Sequence, residues 1–253
     1  MCDLVPICEQ ALPNQELSVP FVRFRVGNPR FDVLAAQILW RGNKSAWRKF
    51  ATLYGMDPEL SKWDEHLISG RILAAYERLL LGNSELLSAT YSHWWSSFSI
   101  SWFRLMAHFF EFDSFTLYDA FTAWIGISNV FPRDLLTFEF LVPSSSSQKM
   151  LVRLCAHETC HFYFYGKLLE SFPNRRKYLL GSRRLWVISE MLVPLIFATE
   201  SSRAILGPQP FSTYACSQLQ LDNARPLVEL RMKEKLSFPQ LLAAIEGLTI
   251  GES

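Results

Sequence analysis

Residues His157-Glu158-Thr159-Cys160-His161 spell HExxH, and this pattern leaves the chain around it little conformational freedom. In a helix, residues four apart lie about 400° round the axis, so His157 and His161 project from one face and can share a metal ion. Glu158 stands one position from the first histidine, where its carboxylate reaches a water on the metal and not the metal itself. With only five histidines in 253 residues, about 0.006 such pentamers are expected by chance. The flanks Leu154-Cys155-Ala156 and Phe162-Tyr163-Phe164 are uncharged and free of Pro and Gly. They predict a buried helix over 148–171, with N-cap candidates among Ser144 to Ser147 and a stop before Pro173. The alternative is a hydrogen-bonded His157–Glu158 pair in the core with His161 an ordinary interior histidine. A carboxylate and two imidazoles in one apolar helix are costly unless partnered, which favours a metal.

A catalytic zinc usually takes three protein ligands and keeps its fourth position for water. The foremost candidate for the third is Glu190, the one carboxylate in the apolar run 185–193 that follows a possible Ser182 N-cap. It lies 29 positions after His161, room enough for a reversal near Pro173-Asn174 and a second helix. Glu170, nine residues past His161 on the same helix, faces the wrong side. Glu200, beside Ser201-Ser202, is expected to be solvated; it stays open as a candidate, as does a ligand the spacing does not identify. Cys160 points about 100° away from His161 and is not expected to bind. Pro194 removes the hydrogen bond to the Glu190 carbonyl and predicts a kink.

HExxH followed on a later helix by a glutamate resembles the gluzincin branch of zinc metallopeptidases, over residues 148–200. The resemblance implies a zincin-like, predominantly helical α+β fold with a small sheet packed over the active-site helix. It further implies one Zn2+ held by His157, His161 and Glu190, with Glu158 as general base in hydrolysing a peptide or protein substrate. The family's Asn-Glu or Glu-x-x-x-Asp context around the third ligand is absent here, and no Gly-Ala-Met-Glu-Asn substrate-binding sequence occurs. Tyr163, Tyr165, Tyr178 and Tyr214 are available to stabilise an oxyanion, and spacing selects none of them. Two other classes remain: a zinc-binding regulatory or interaction protein without peptidase activity, and a metal-free helical scaffold.

Composition narrows the setting. Hydrophobic residues make up 49% and charged residues 19% of the chain, which excludes disorder except at the ends. A net charge of +1, with no dense basic stripe beyond Arg175-Arg176-Lys177 and Arg183-Arg184, argues against a nucleic-acid partner. Those arginines are expected to be solvated, with contact to an anionic substrate the lesser alternative. The N-terminus lacks a basic n-region and a long apolar h-region, so no signal peptide and a cytoplasmic location are expected. No apolar run reaches the length of a membrane span. Five cysteines, an odd number, suggest thiols and not disulfides.

We expect one globular unit over 1–253. Its N-terminal part, 20–147, should be mainly helical with strands near 20–26 and 135–142; the zinc-site helix pair spans 148–200, and 201–253 supplies packing helices. Helices are expected from an Asn43 cap to Tyr54, from Asp57-Pro58-Glu59 toward Ile68, and over 71–81, 84–98, 101–111 and 114–124. Two more should start at Arg225-Pro226 and at Ser237-Phe238-Pro239. The strand over 135–142 either borders the cleft and pairs with an extended substrate or is internal. The aromatic stretch 93–110 reads as core, with an apolar substrate pocket or a membrane-surface contact as alternatives. His66, His93 and His108 are expected to be structural.

Overall fold

Alternating burial at 21–26 and 120–126, where period-2 patterning puts every second side chain on one face, and a continuous buried run at 140–143 build a sheet. A computed structural model of the chain describes residues 21–112, 120–209 and 215–250. Strands β1 (Phe21–Val26), β2 (Ala120–Gly126), β3 (Arg133–Asp134) and β4 (Glu139–Pro143) form one mixed sheet in the order β1-β2-β4-β3. The first three in that order run parallel, and β3 is an antiparallel edge. Registers such as Phe24↔Ala123↔Phe140 stack buried side chains across the sheet.

Parallel neighbours require a crossover. Between β1 and β2 the chain runs through α1 (Arg30–Gly42), α2 (Lys44–Leu53), α3 (Glu65–Leu79) and α4 (Ser84–Phe110). The HExxH helix is α5 (Gln148–Ser171), with the bounds expected from sequence; the Ser147 hydroxyl caps it by accepting from Met150 N–H. Short α6 (Arg176–Gly181) reverses the chain into α7 (Arg183–Phe197), which Ser182 caps. Then come α8 (Glu200–Leu206), α9 (Gln218–Met232) and α10 (Phe238–Ile250). The main core lies where α4 and α5 cover the sheet: Phe121 of β2 stacks on Phe162 of α5 at 5.4 Å, and Trp102, Phe103 and Phe110 of α4 are fully buried. The aromatic stretch is therefore chiefly core. A second cluster unites α1, α2 and α3 around Trp47, Phe50, Ile72 and Tyr76.

Several local expectations are corrected. The strand expected over 135–142 is only Glu139–Pro143, because Phe138 takes a left-handed conformation (φ 55°) that breaks the alternation. Asp57-Pro58-Glu59 makes a turn, with Asp57 accepting from Glu59 N–H; the helix starts at Glu65 with Asp64 as its cap. The segments 84–98 and 101–111 are one helix, in which Ser92, Ser96 and Ser99 donate back to carbonyls within their own helix and so do not interrupt it. The helix expected over 114–124 is strand from Ala120 onward; 113–119 lie outside the described residues. Helix α9 begins at a Ser217/Gln220 capping box, with Pro226 inside it. The chain passes Pro194 still helical, and the sharp bend, 75°, comes between α7 and α8. Among the described residues no single helix is long and apolar enough to cross a membrane; α7 and α8 reach that length only together, as this bent pair.

Candidate metal centre

Helix periodicity and one chain reversal assemble the site. His157 and His161 point the same way from α5, and α7 returns beside α5 to bring in Glu190. The two Nε2 atoms are 3.0 Å apart. Glu190 places Oε1 3.5 Å from His161 Nε2 and Oε2 3.7 Å from His157 Nε2. One ligand atom from each residue can be chosen so that all lie within 4.8 Å of one another. Adjacent donors around a tetrahedral zinc with bonds of 2.0–2.1 Å are separated by about 3.3 Å, so these spacings fit one ion. Glu158 sits alongside, its Oε1 4.0 Å from His157 Nε2.

Burial and charge favour the same use. His161 is fully buried, and burial, then the Arg133 guanidinium and His157, hold its imidazole well below the usual histidine range. A neutral ring keeps a lone pair for a metal. Two Nε2 atoms at 3.0 Å can share at most one proton, whereas a cation between them satisfies both lone pairs. His161 Nδ1 has no hydrogen-bond partner among the described residues, so no outer acceptor fixes its tautomer in the way common at histidine metal sites. Burial pushes the Glu190 carboxyl up, but the hydrogen bond from His157 and the Arg133 charge hold it below the ordinary range.

The other candidates fall away. Glu170 is exposed and pairs with Lys167 at 2.9 Å; Glu200 is exposed at the start of α8. Cys155, Cys160 and Cys216, the described cysteines, are free thiols, and burial raises all three. His66 and His93 are exposed, and His108 faces Glu234. Of the tyrosines, Tyr165 lines the cleft with its hydroxyl bonded to Ser189, Tyr163 packs among Phe103, Phe110 and Phe112, and Tyr178 is exposed. Tyr214 lies outside the described residues.

Arg133 is the residue that sequence reasoning missed. From edge strand β3 its Nη1 donates to Glu158 Oε2 at 3.2 Å and its Nη2 to Glu190 Oε1 at 2.7 Å. One guanidinium thus ties the HExxH carboxylate to the carboxylate of α7. Burial works against its charge, but the two carboxylates more than offset this and keep it firmly protonated. A signal did exist: Arg133 is flanked by Val130-Phe131-Pro132 and, past Asp134, by Leu135-Leu136, an isolated cation in apolar surroundings just as Glu190 is an isolated anion.

Arg133, His157, Glu158 and Glu190 all line a cleft of about 980 Å³. Much of its wall is apolar, including Leu34 and Ile38 of α1, Phe131, Leu154 of α5 and Trp186 of α7. Compared with protein-family models, with curated proteins and with solved structures, the chain matches none.

Proposed function

We propose that this chain is a zinc-dependent metallopeptidase of the gluzincin-like, zincin type, with one Zn2+ held by His157, His161 and Glu190. The observation that carries this reading is the convergence of two imidazole Nε2 atoms and one carboxylate, with a second carboxylate beside them, in an open cleft. A small mixed sheet covered by α5 agrees with it. When bound, the metal would act as a Lewis acid toward the scissile carbonyl and make water a better nucleophile near neutral pH. Glu158 has the part of general base: it accepts a proton from the attacking water and returns it to the leaving amine. Arg133 holds Glu158 and Glu190 in fixed mutual orientation, and the apolar wall seats side chains of the substrate.

The test is a digest of a broad peptide library by zinc-loaded protein, with Glu158→Gln as the control. Cleavage by the wild type and its loss in the variant, with zinc retained in both, is the expected result. One observation favours the second reading, a zinc-binding regulatory or interaction protein: the Arg133 guanidinium already engages Glu158 Oε2 at 3.2 Å, an oxygen that a general base would turn to the water. Zinc binding with no peptide cut would bring that reading forward.

A further inference from the structure

We propose that the cleft recognises a carboxylate on its substrate, received by Arg153 one or two residues from the bond to be cleaved; the identification of that substrate as a peptide rests on the metallopeptidase reading. Arg153 stands four positions before His157 on α5, hence on the same helix face and about 6 Å along the axis. It lines the cleft and is half-buried. Among the described residues no carboxylate lies within ion-pair distance of it. Arg133 differs in this respect, since both its Nη atoms are engaged by carboxylates. A second cation, Arg183, enters the cleft from the start of α7; its guanidinium stacks on Trp186 at 4.8 Å and likewise meets no carboxylate among the described residues.

The charge distribution gives the specificity. The carboxylates lining the cleft are Glu158 and Glu190, both at the metal centre, whereas the lining arginines are Arg133, Arg153 and Arg183. The lining thus carries a formal excess of one positive charge, and Arg153 and Arg183 stand apart from both carboxylates, which Arg133 engages. A divalent metal would add to that excess. A half-buried guanidinium has lost part of its hydration, and a planar carboxylate restores it with two parallel N–H···O bonds. An extended peptide advances about 3.3 Å per residue, so the axial distance from His157 to Arg153 spans one to two residues. Apolar Leu154 and Trp186 beside the two arginines suit a large apolar side chain next to the acidic group. The carboxylate could belong to an Asp or Glu side chain or to a free C-terminus.

Three fluorescent peptides of one sequence separate these sources: one with Glu beside a Leu-Phe core and an amidated end, one with Gln in place of Glu and an amidated end, and one with Gln and a free C-terminal carboxylate. Their affinities are measured on zinc-loaded Glu158→Gln protein, and their cleavage on the wild-type protein. At least one acidic peptide should bind about tenfold tighter than the neutral one, and Arg153→Gln should reduce that ratio below about two. Arg175→Gln, exposed and away from the cleft lining, should preserve the ratio. Preference for the Glu peptide identifies a side-chain acid; preference for the third peptide identifies a chain terminus. Equal affinities, or equal weakening of all three peptides in Arg153→Gln, overturn the proposal, and if peptides are still cut the metallopeptidase reading survives alone. An Arg153-dependent preference without cleavage upholds the carboxylate site and removes the peptidase. Failure to bind any of the three removes both.

Discussion

Asp32 and Glu190 are both buried carboxylates, yet their surroundings differ in kind. Around Asp32 every partner gives a proton: the Tyr54 and Tyr76 hydroxyls donate to its two oxygens, and the Ser128 N–H donates at 2.9 Å. The packing is closed, since a Cβ placed on Gly126 would lie 2.5 Å from Asp32 Oδ2 and 2.8 Å from the Tyr76 hydroxyl. Around Glu190, by contrast, two imidazole Nε2 atoms and the Glu158 carboxylate gather with Arg133 as the one strong donor, and the group opens on a cleft. A burial-plus-carboxylate criterion would select both residues. What separates them is the balance of donors and acceptors: Asp32 is complete within the protein, whereas the Glu190 cluster has an excess of lone pairs that a cation would satisfy.

The largest effect should come from the group beside the proposed metal ligands. Glu158→Gln should leave zinc in place and lower peptidase turnover by about 10²–10⁴, the usual loss of a general base, as read from initial rates at matched metal content. Unchanged turnover would remove Glu158 from the mechanism. Asp32→Ala should act in the opposite sense, destabilising the fold by about 3 kcal/mol because it strands two buried hydroxyls and an N–H, while zinc stoichiometry stays at the wild-type value. Denaturant unfolding beside metal analysis checks both halves, and loss of metal in this variant would show the two clusters to be linked.

Arg133→Gln tests whether the guanidinium and the metal serve the same carboxylates. Without Arg133, Glu158 and Glu190 lack their internal cation, so the metal-free protein should lose about 2–3 kcal/mol and zinc should recover more stability than it adds to the wild type. Thermal unfolding with and without zinc measures the difference; an equal zinc-induced shift in both proteins would count against shared neutralisation. The smallest effect concerns pH. Burial raises the Asp32 carboxyl above its ordinary 3.8, while hydrogen bonds from Tyr54, Tyr76 and Ser128 work the other way. The native state then holds the proton to higher pH than the unfolded chain. The contribution of this group is thus fully present below pH 3.8 and is lost as pH rises through its raised native value. The difference in unfolding free energy between wild type and Asp32→Asn should decline over that window, by no more than about 1.4 kcal/mol per pH unit. A difference that grows with pH would reverse the sign assigned here.

Helices α5 and α7 were legible because their signals are local. Ser147 and Ser182 cap where their residue type and position predict, and HExxH fixes its own helical face. Glu190 stands out as a lone acid in an apolar run, which needs a partner. By the same need Arg133 comes forward as well, but its partners lie in distant elements, and such pairing leaves no periodic trace. Strand β2 is not legible in its own sequence because what makes it a strand is pairing with partners far along the chain, at 21–26 and 139–143. The Asp32 cluster was likewise invisible: it joins residues 32, 54, 76 and 128, and nothing in their spacing marks them as neighbours.

Metal stoichiometry by elemental analysis, compared across wild type, His161→Ala, Glu190→Ala and Asp32→Asn, tests the central claim most directly. The account predicts about one zinc per chain in the wild type and in Asp32→Asn, and almost none in the other two after equal dialysis. A wild type that fails to retain zinc, or full retention in both His161→Ala and Glu190→Ala, would contradict it.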